Sequence, residues 1–452
     1  MKELLADVAR RAARYVDEIA DRSVFPTPES VARLSELGGP LPEAPNAPSE
    51  ILALLDRVGS PATVASSAGR YFGFVIGGSL PAALAANWLA GAWDQNAALR
   101  VMSPVAAETE EIVLRWMIDL LGLPTDSAAA FVTGTTMANF SALAAARTAI
   151  LAREGWDVEQ DGLFGAPPIQ VVVGDEVHVS VLKALSLLGM GRSRLIRVPA
   201  DAQGRMRFDA LPPLNARTIV CVQAGNVNTG AFDPAGAICQ VAHEANAWVH
   251  VDGAFGLWAA VSPHYAPLLS GAEAADSWAI DCHKWLNVPY DSGVAVVRNA
   301  ESLERAMSID AAYLAHSAQR EPWRFVPESS RRARGIELWA AMRSLGRSGL
   351  RELIERNCRQ ARLFATRLSA AGHTILNDVV LNQVLVSFGS AERTAQVIAA
   401  VQQEGTCWCG GTEWHGHKAM RISVSNWSTT DEDVERSADA IRRIARQGTS
   451  GD

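Results

Sequence analysis

Between residues 128 and 297, short apolar runs alternate with longer segments whose apolar residues recur every three or four positions. Ala128–Val132, Ile169–Val173, Leu195–Val198, Thr218–Gln223, Trp248–Val251, Ser277–Ile280 and Val294–Val297 read as strands, several of them rich in β-branched residues. Met137–Leu151, Val179–Leu188 and Ala235–Ala245 read as helices between them. Strand, helix, strand in repetition predicts an α/β fold, a mostly parallel doubly wound sheet with helices on both faces.

The flanking regions have a different texture. Pro26, Pro28, Pro40, Pro42, Pro45 and Pro48 break residues 1–70 into a helical approach segment. In its first helix Leu5, Val8, Ala12, Tyr15 and Ile19 share one face, while Asp7, Arg10, Arg11, Arg14, Asp17 and Glu18 fill the others. Such a face must cover something, and a partner subunit is the expected occupant. This mixed charge does not suit a membrane surface or a signal peptide. After residue 333, helical patterns near 333–345 and 349–371 meet at Gly346. An apolar run Val379–Val386, a Gly/Trp-rich stretch, a strand Arg421–Val424 and a helix from Thr430 complete a small α+β domain. The expected organisation is an N-terminal segment 1–70, a large domain 71–332 and a small domain 333–452.

Composition narrows the function classes. Of 452 residues, 48% are hydrophobic and 20% charged, which excludes wholesale disorder. The net charge of −8 and a pI near 5.7 speak against nucleic-acid binding. The most apolar stretch, Leu80–Trp93, is interrupted by Asn87 and stops at Asp94, short of a membrane span. Six cysteines in a chain this long do not make a disulfide framework, so a reducing, cytoplasmic setting is expected.

Ligands of a parallel sheet bind beyond the carboxyl ends of its strands. Thr133-Gly134-Thr135-Thr136 follows the first strand and opens a helix, which suits a phosphate at the helix N-terminus, although a plain N-cap reads the same way. His178 follows Gly174-Asp175-Glu176-Val177 and could stack on a flat ring; a lone histidine is as readily structural. Asp252 closes a buried strand, where a carboxylate needs a partner, either a protonated ring nitrogen or a structural cap. Lys284, in Asp281-Cys282-His283-Lys284-Trp285, could lose its proton by desolvation in an apolar frame and attack a carbonyl. Between Asp252 and Lys284 there is room for one helix and a return strand. A phosphate cradle, a stacking ring, a buried acid and a buried amine together fit pyridoxal 5′-phosphate.

In these motifs the chain resembles the group II, fold-type I pyridoxal-phosphate-dependent amino acid decarboxylases, from about Tyr71 to Arg443. The resemblance implies that Lys284 forms the Schiff base and that His283 lies near the phosphate with Gly134, Thr135 and Thr136. It places His178 on the ring, Asp252 at the ring nitrogen with Ala254 packed under the ring, and Asn226 within hydrogen-bonding reach. It assigns Arg421, in Arg421-Ile422-Ser423-Val424, to the substrate α-carboxylate. Tyr71-Phe72-Gly73, Ser79-Leu80-Pro81 and Ser103-Pro104 with Glu108 resemble segments that shape the substrate pocket, some at a homodimer interface with a shared active site. Phe74, Ile76, Trp93 and Gln95 near these segments favour an aromatic or aliphatic L-amino acid. Ser329–Gly349, with Arg331, Arg332, Leu338 and Trp339, resembles the start of the small domain.

Two departures bear on the outcome. Gly225-Asn226-Val227-Asn228-Thr229 stands where the family often has Gly-Thr. The loop between Tyr313-Leu314-Ala315-His316 and Arg331 is short, and its residues 317–328 contain Trp323 and Phe325 but no Tyr to protonate the carbanion left by loss of CO₂. The expected reaction is decarboxylation to the amine and CO₂. The alternatives are oxygen-dependent conversion to an aldehyde, aminotransferase or aldolase chemistry on the same fold, or a cofactor-binding protein without catalysis. Cys407-Trp408-Cys409 with His415 and His417 lacks zinc-finger spacing and reads as a hairpin at the mouth of the site, with no metal expected.

Overall fold

A computed structural model of the chain describes residues 1–309 and 319–447. Tyr313, Leu314, Ala315, His316, Ser317 and Ala318 of the expected catalytic loop lie outside the described residues. Contacts divide the chain into two units, one holding residues 77–359 and 377–383, the other 1–76, 360–376 and the chain from 384 onward.

The larger unit contains one seven-stranded sheet. Its strands are β1 Ala128–Val132, β2 Gln170–Gly174, β3 Ile196–Val198, β4 Thr218–Gln223, β5 Trp248–Asp252, β6 Ser277–Asp281 and β7 Gly293–Val297, in the order β1-β7-β6-β5-β4-β2-β3. Strands β2 to β6 pair in parallel, and β7 runs antiparallel to both of its neighbours, β1 and β6. Val171–Val173, Ile219–Val222 and Val294–Val297 are buried along their lengths, as a sheet covered on both faces requires. Each such Val or Ile contributes about 1.5–3 kcal/mol by leaving water. The helix Thr135–Arg153 covers one face with Ala138, Ala142, Ala145 and Ala146, whose small side chains let its backbone approach, while Leu143 and Ile150 fill the remaining space.

The connection between β5 and β6 differs from the helix expected there. It is built from three 3₁₀ turns, Gly256–Val261, Ala266–Leu269 and Ala272–Ala274. Ser262, Pro263, Pro267, Ser270 and Gly271 punctuate this stretch too often for an α-helix to propagate. The fully buried Trp258 and Trp278 fill the space instead, and the Trp258 indole N–H donates to the Asp281 carbonyl (3.0 Å).

The unit boundaries also differ from the expected domains. The start of the expected small domain belongs with the larger unit because Arg331 is tied there: its guanidinium pairs with Glu110 (2.7 Å), both side chains being buried. The helix Gly335–Ala370 is kinked at Gly346, the residue expected to separate two helices; its φ of 59° and ψ of −178° are cheap only for glycine.

The smaller unit holds the strands β8 Thr374–Ile375, β9 Gln383–Ser387, β10 Gly410–Trp414 and β11 His417–Ser423, in the order β10-β11-β9-β8. Of the run Val379–Val386 only the end is strand; Val379 sits at φ +47°, outside strand geometry. Residues 1–70 fall within the smaller unit. The Val24 N–H donates to the Gly405 carbonyl (2.9 Å), Arg70 donates to the carbonyls of Thr406 (3.0 Å) and Ala20, and the Asn426 amide donates to the Ala68 carbonyl (3.1 Å). Cys407 and Cys409 are buried, whereas His415 and His417 are exposed at the turn of the β10–β11 hairpin. All six cysteines are buried and form no disulfide, and no helix among the described residues is long and apolar enough to cross a membrane.

Candidate active site

The carboxyl ends of β1, β5 and β6 bring the predicted residues together within the larger unit. Lys284 follows β6, and its ammonium lies 2.8 Å from Asp281 Oδ2. The other oxygen of that carboxylate accepts the N–H of Thr135 at 2.6 Å, so one acid joins the lysine to the turn after β1. His283 Nε2 lies 3.5 Å from the same oxygen, and the Ser292 N–H donates to His283 Nδ1 (3.0 Å). Burial opposes ionisation of Asp281, but Lys284, His283 and the Thr135 N–H outweigh it and hold the carboxyl below its ordinary value. Burial lowers the His283 imidazole, with Asp281 pulling the other way. Lys284 is thus held by a carboxylate and not by the apolar frame expected. The sequence reading assigned no role to Asp281, although a carboxylate at the end of a buried strand is the same signal that drew attention to Asp252.

Glycines set the spacing. A Cβ on Gly134 would lie 3.0 Å from His283 Cε1 and 3.1 Å from Asp281 Oδ1, so the turn and the lysine loop touch there. Gly77 has φ +74°, and a Cβ on it would lie 1.8 Å from the Lys284 carbonyl oxygen. The Leu80 N–H donates to the Asn287 carbonyl (2.8 Å), so residues 77–80, with Ser79, lie against the Lys284 loop. Pro81 and Trp93 open and close one helix, Pro81–Trp93, about 18 Å long.

Asp252 ends β5 almost fully buried. It accepts from the Asn139 amide (3.2 Å) and from the Ala254 N–H (3.2 Å), and Ser180 Oγ lies 3.4 Å away. His178 precedes the helix Val179–Leu187, half-buried, with its Nδ1 2.7 Å from Ser180 Oγ. Asn226 is buried; its side-chain oxygen accepts the N–H groups of Asn228 (2.8 Å) and Thr229 (3.2 Å). Asn139, Ser180 and His250 went unassigned in the sequence, though each is a polar residue set into an apolar run.

Trp323 and Phe325, read as parts of a mobile loop, are built into the larger unit. The Trp323 N–H donates to the Ala98 carbonyl (3.0 Å), and the Arg320 guanidinium sits over the Phe325 ring (4.5 Å) while donating to the Ala129 carbonyl of β1 (2.7 Å).

In the smaller unit, Arg421 lies on β11 opposite Gly410 of β10, and burial lowers its guanidinium. Phe74, exposed at φ +59°, stacks on Trp408 (5.4 Å), whose other stacking partner is Tyr71 (5.1 Å).

The pyridoxal-dependent decarboxylase conserved domain matches residues 40–389. An aromatic-L-amino-acid decarboxylase of Bacillus atrophaeus is 24% identical over 96% of this chain and 93% of its own. An L-2,4-diaminobutyrate decarboxylase of Rhizobium meliloti is 30% identical over 81% of this chain and 75% of its own. The crystal structure of Oryza sativa TDC with PLP and tryptamine superposes with a TM-score of 0.90 at 22% identity, covering 99% of this chain and 98% of that one. The chain belongs to the pyridoxal-dependent decarboxylase family, on the fold-type I α/β architecture. It is a carboxy-lyase that uses pyridoxal 5′-phosphate to decarboxylate an amino acid.

Proposed function

We propose that the protein decarboxylates an aromatic or aliphatic L-amino acid to its amine, with Lys284 as the residue that carries the cofactor. The observation that carries this reading is the junction at Asp281, which ties the lysine to the N-terminus of the helix after β1. Atoms left over by the protein's own hydrogen bonds support the cofactor's placement. Thr135 Oγ1 and Asn226 Nδ2 are buried and have no hydrogen-bond partner among the described residues, which suits a ligand rich in phosphate and hydroxyl oxygens. Gly134, Thr135, Thr136 and His283 would hold the phosphate, Asp252 the ring nitrogen, and His178 and Ala254 the two ring faces. When bound, the cofactor supplies an electron sink for the pair released with CO₂.

The chain's own part is orientation. The carboxylate to be lost must stand perpendicular to the plane that Asp252 and His178 define. Arg421 would hold the substrate at its α-carboxylate, and that grip must relax as CO₂ departs, since binding the ground state alone gains no rate.

Exposed apolar residues on the helix Pro81–Trp93 and after it, Trp88, Leu89, Trp93, Val101 and Met102, support a homodimer in which Trp93 serves across the interface. Six reduced cysteines suit the cytoplasm. Gln319–Glu328 contains no Tyr, which keeps oxygen-dependent aldehyde formation as the second reading.

Product mass spectrometry on the loaded protein, with pooled L-amino acids in air and in nitrogen, tests both. An amine in both atmospheres is expected. An aldehyde made only in air establishes the second reading, and no product in either overturns the assignment of a decarboxylating site.

A further inference from the structure

Behind Asp252 lies a chain of buried polar groups for which the proposed reaction gives no reason. The Trp248 indole N–H lies 2.9 Å from Ser277 Oγ, and Ser277 Oγ lies 2.9 Å from His250 Nδ1. His250 Nε2 is 2.9 Å from Asn139 Oδ1, and Asn139 Nδ2 reaches both Asp252 Oδ2 and Ser180 Oγ at 3.2 Å. Ser180 Oγ then meets His178 Nδ1 at 2.7 Å. Trp248, Ser277, His250, Asn139, Ser180 and Asp252 are all buried.

Chemistry fixes the direction of the links from Trp248 to Asp252. A carboxylate only accepts, so Asn139 turns Nδ2 toward Asp252 and Oδ1 toward His250 Nε2; Nδ1 of the neutral ring is then left to accept the Ser277 proton, while a lone pair of Ser277 Oγ takes the Trp248 indole N–H. His250 therefore carries its proton on Nε2 and donates to Asn139 Oδ1. Both hydrogens of the Asn139 amide are then directed to Asp252 and Ser180. The Ser180 N–H also donates to His178 Nδ1 (3.3 Å), which marks that nitrogen as an acceptor. The Ser180 hydroxyl lies within donating reach of both His178 Nδ1 (2.7 Å) and Asp252 Oδ2 (3.4 Å), and an accepting Nδ1 leaves that ring's proton on Nε2.

We propose that His250 and Asn139 form a one-way hydrogen-bond relay that positions Asp252 and sets the tautomer of His178. This rests on the reading of Asp252 and His178 as the groups at the cofactor ring. Asn139 is the junction, and it serves the acid and the stacking histidine from one amide group. Burial pushes the His250 imidazole down to about 4, with Asp252 pulling upward, so the relay holds a neutral ring at working pH. A charged imidazolium would donate from both nitrogens and break the link from Ser277. His250 is a positioning residue in this scheme and touches no reactant.

The test uses the cofactor-loaded enzyme and reads two quantities besides activity: the dissociation constant for pyridoxal phosphate, and the pH midpoint of the visible band of the Lys284-bound cofactor. His250→Phe and Asn139→Ala should each weaken cofactor binding about tenfold. Each should also raise the midpoint, because weaker pairing at the ring nitrogen withdraws less charge from the linkage to Lys284. The double variant should be no worse than the worse single one, as for members of one chain. A folded His250→Phe enzyme with wild-type values for both readings overturns the relay. If that variant does not fold, Ser277→Ala decides: it removes one hydroxyl remote from the ring and should weaken binding roughly threefold, and wild-type values overturn the proposal. Asp252→Ala separates the two levels. If it moves both readings and the relay variants move neither, the relay alone falls; if it moves neither, the assignment of Asp252 falls and the relay with it.

Discussion

Lys284 Nζ and Thr135 N bind opposite oxygens of one buried carboxylate, that of Asp281, at 2.8 and 2.6 Å. The lysine and the turn after β1 are therefore a single mechanical unit. Asp281→Ala leaves a partly buried ammonium without its partner, and unfolding free energy should fall by about 3 kcal/mol. Asp281→Asn keeps an acceptor for the Thr135 N–H and should lose less. Chemical denaturation of both variants checks the order. Equal losses would show that the carboxylate charge is idle.

Removal of the amine itself has a spectroscopic outcome. Lys284→Ala should abolish the visible absorption of the covalently held cofactor and leave, at most, pyridoxal phosphate that dialysis removes. Absorbance before and after dialysis, with activity, measures this. A variant that keeps the band and full activity would reassign the lysine.

Stability should depend on pH through His250. Its folded value, about 4, lies below the ordinary imidazole value of about 6.5, so the unfolded chain binds the proton first as pH falls. The His250 contribution is complete above about pH 6.5 and drains away toward pH 4, by about 3 kcal/mol. Asp233 works in the opposite sense. Burial raises its carboxyl to about 6, against N–H bonds from Met206 and Gln223, so its contribution is complete below about pH 4 and is lost as pH rises through 6. The stability gap between wild type and His250→Phe should therefore narrow by about 3 kcal/mol from pH 7 to pH 4. Urea titrations at the two values test this, and a constant gap would mean that His250 titrates normally.

Gly77→Ala combines a left-handed backbone with a Cβ placed against the Lys284 carbonyl. It should cost about 3 kcal/mol or more and displace the lysine loop. The sharper readout is cofactor content of the purified protein, which should fall even where thermal melting shows a folded chain. Full cofactor loading would show that the loop absorbs the methyl group.

The strands were legible because buried parallel strands read as unbroken β-branched runs such as Val171–Val173 and Ile219–Val222. Their direction was not: nothing in Gly293–Val297 distinguishes an antiparallel strand, because direction is set by the short return from β6. The 3₁₀ turns after Asp252 were illegible for a related reason, having no period that a helix pattern could reveal. Lys284 and Asp252 stood out by their places at strand ends. Asn139, Ser180 and His250 did not, because each looks like an ordinary polar residue until the packing shows which atoms they meet. Trp323 and Phe325 were misplaced because a segment next to a loop was read as the loop; Arg320 and the Ala98 carbonyl fasten them to the larger unit.

The antiparallel β7 has a consequence for how the protein matures. Gly293, at its start, is registered against both Val132 and Asp281, so β7 is the splint through which the ends of β1 and β6 meet. The hairpin from β6 to β7 forms from neighbouring residues, but β1 joins it only by closing a loop that contains nearly the whole sheet. Such distant closures are slow. The lysine is therefore fixed early to its own hairpin, while the turn that would hold the phosphate arrives late. Cofactor retention is then expected to report the joining of β1 to β7, a step open to the chain as soon as Val297 has been made.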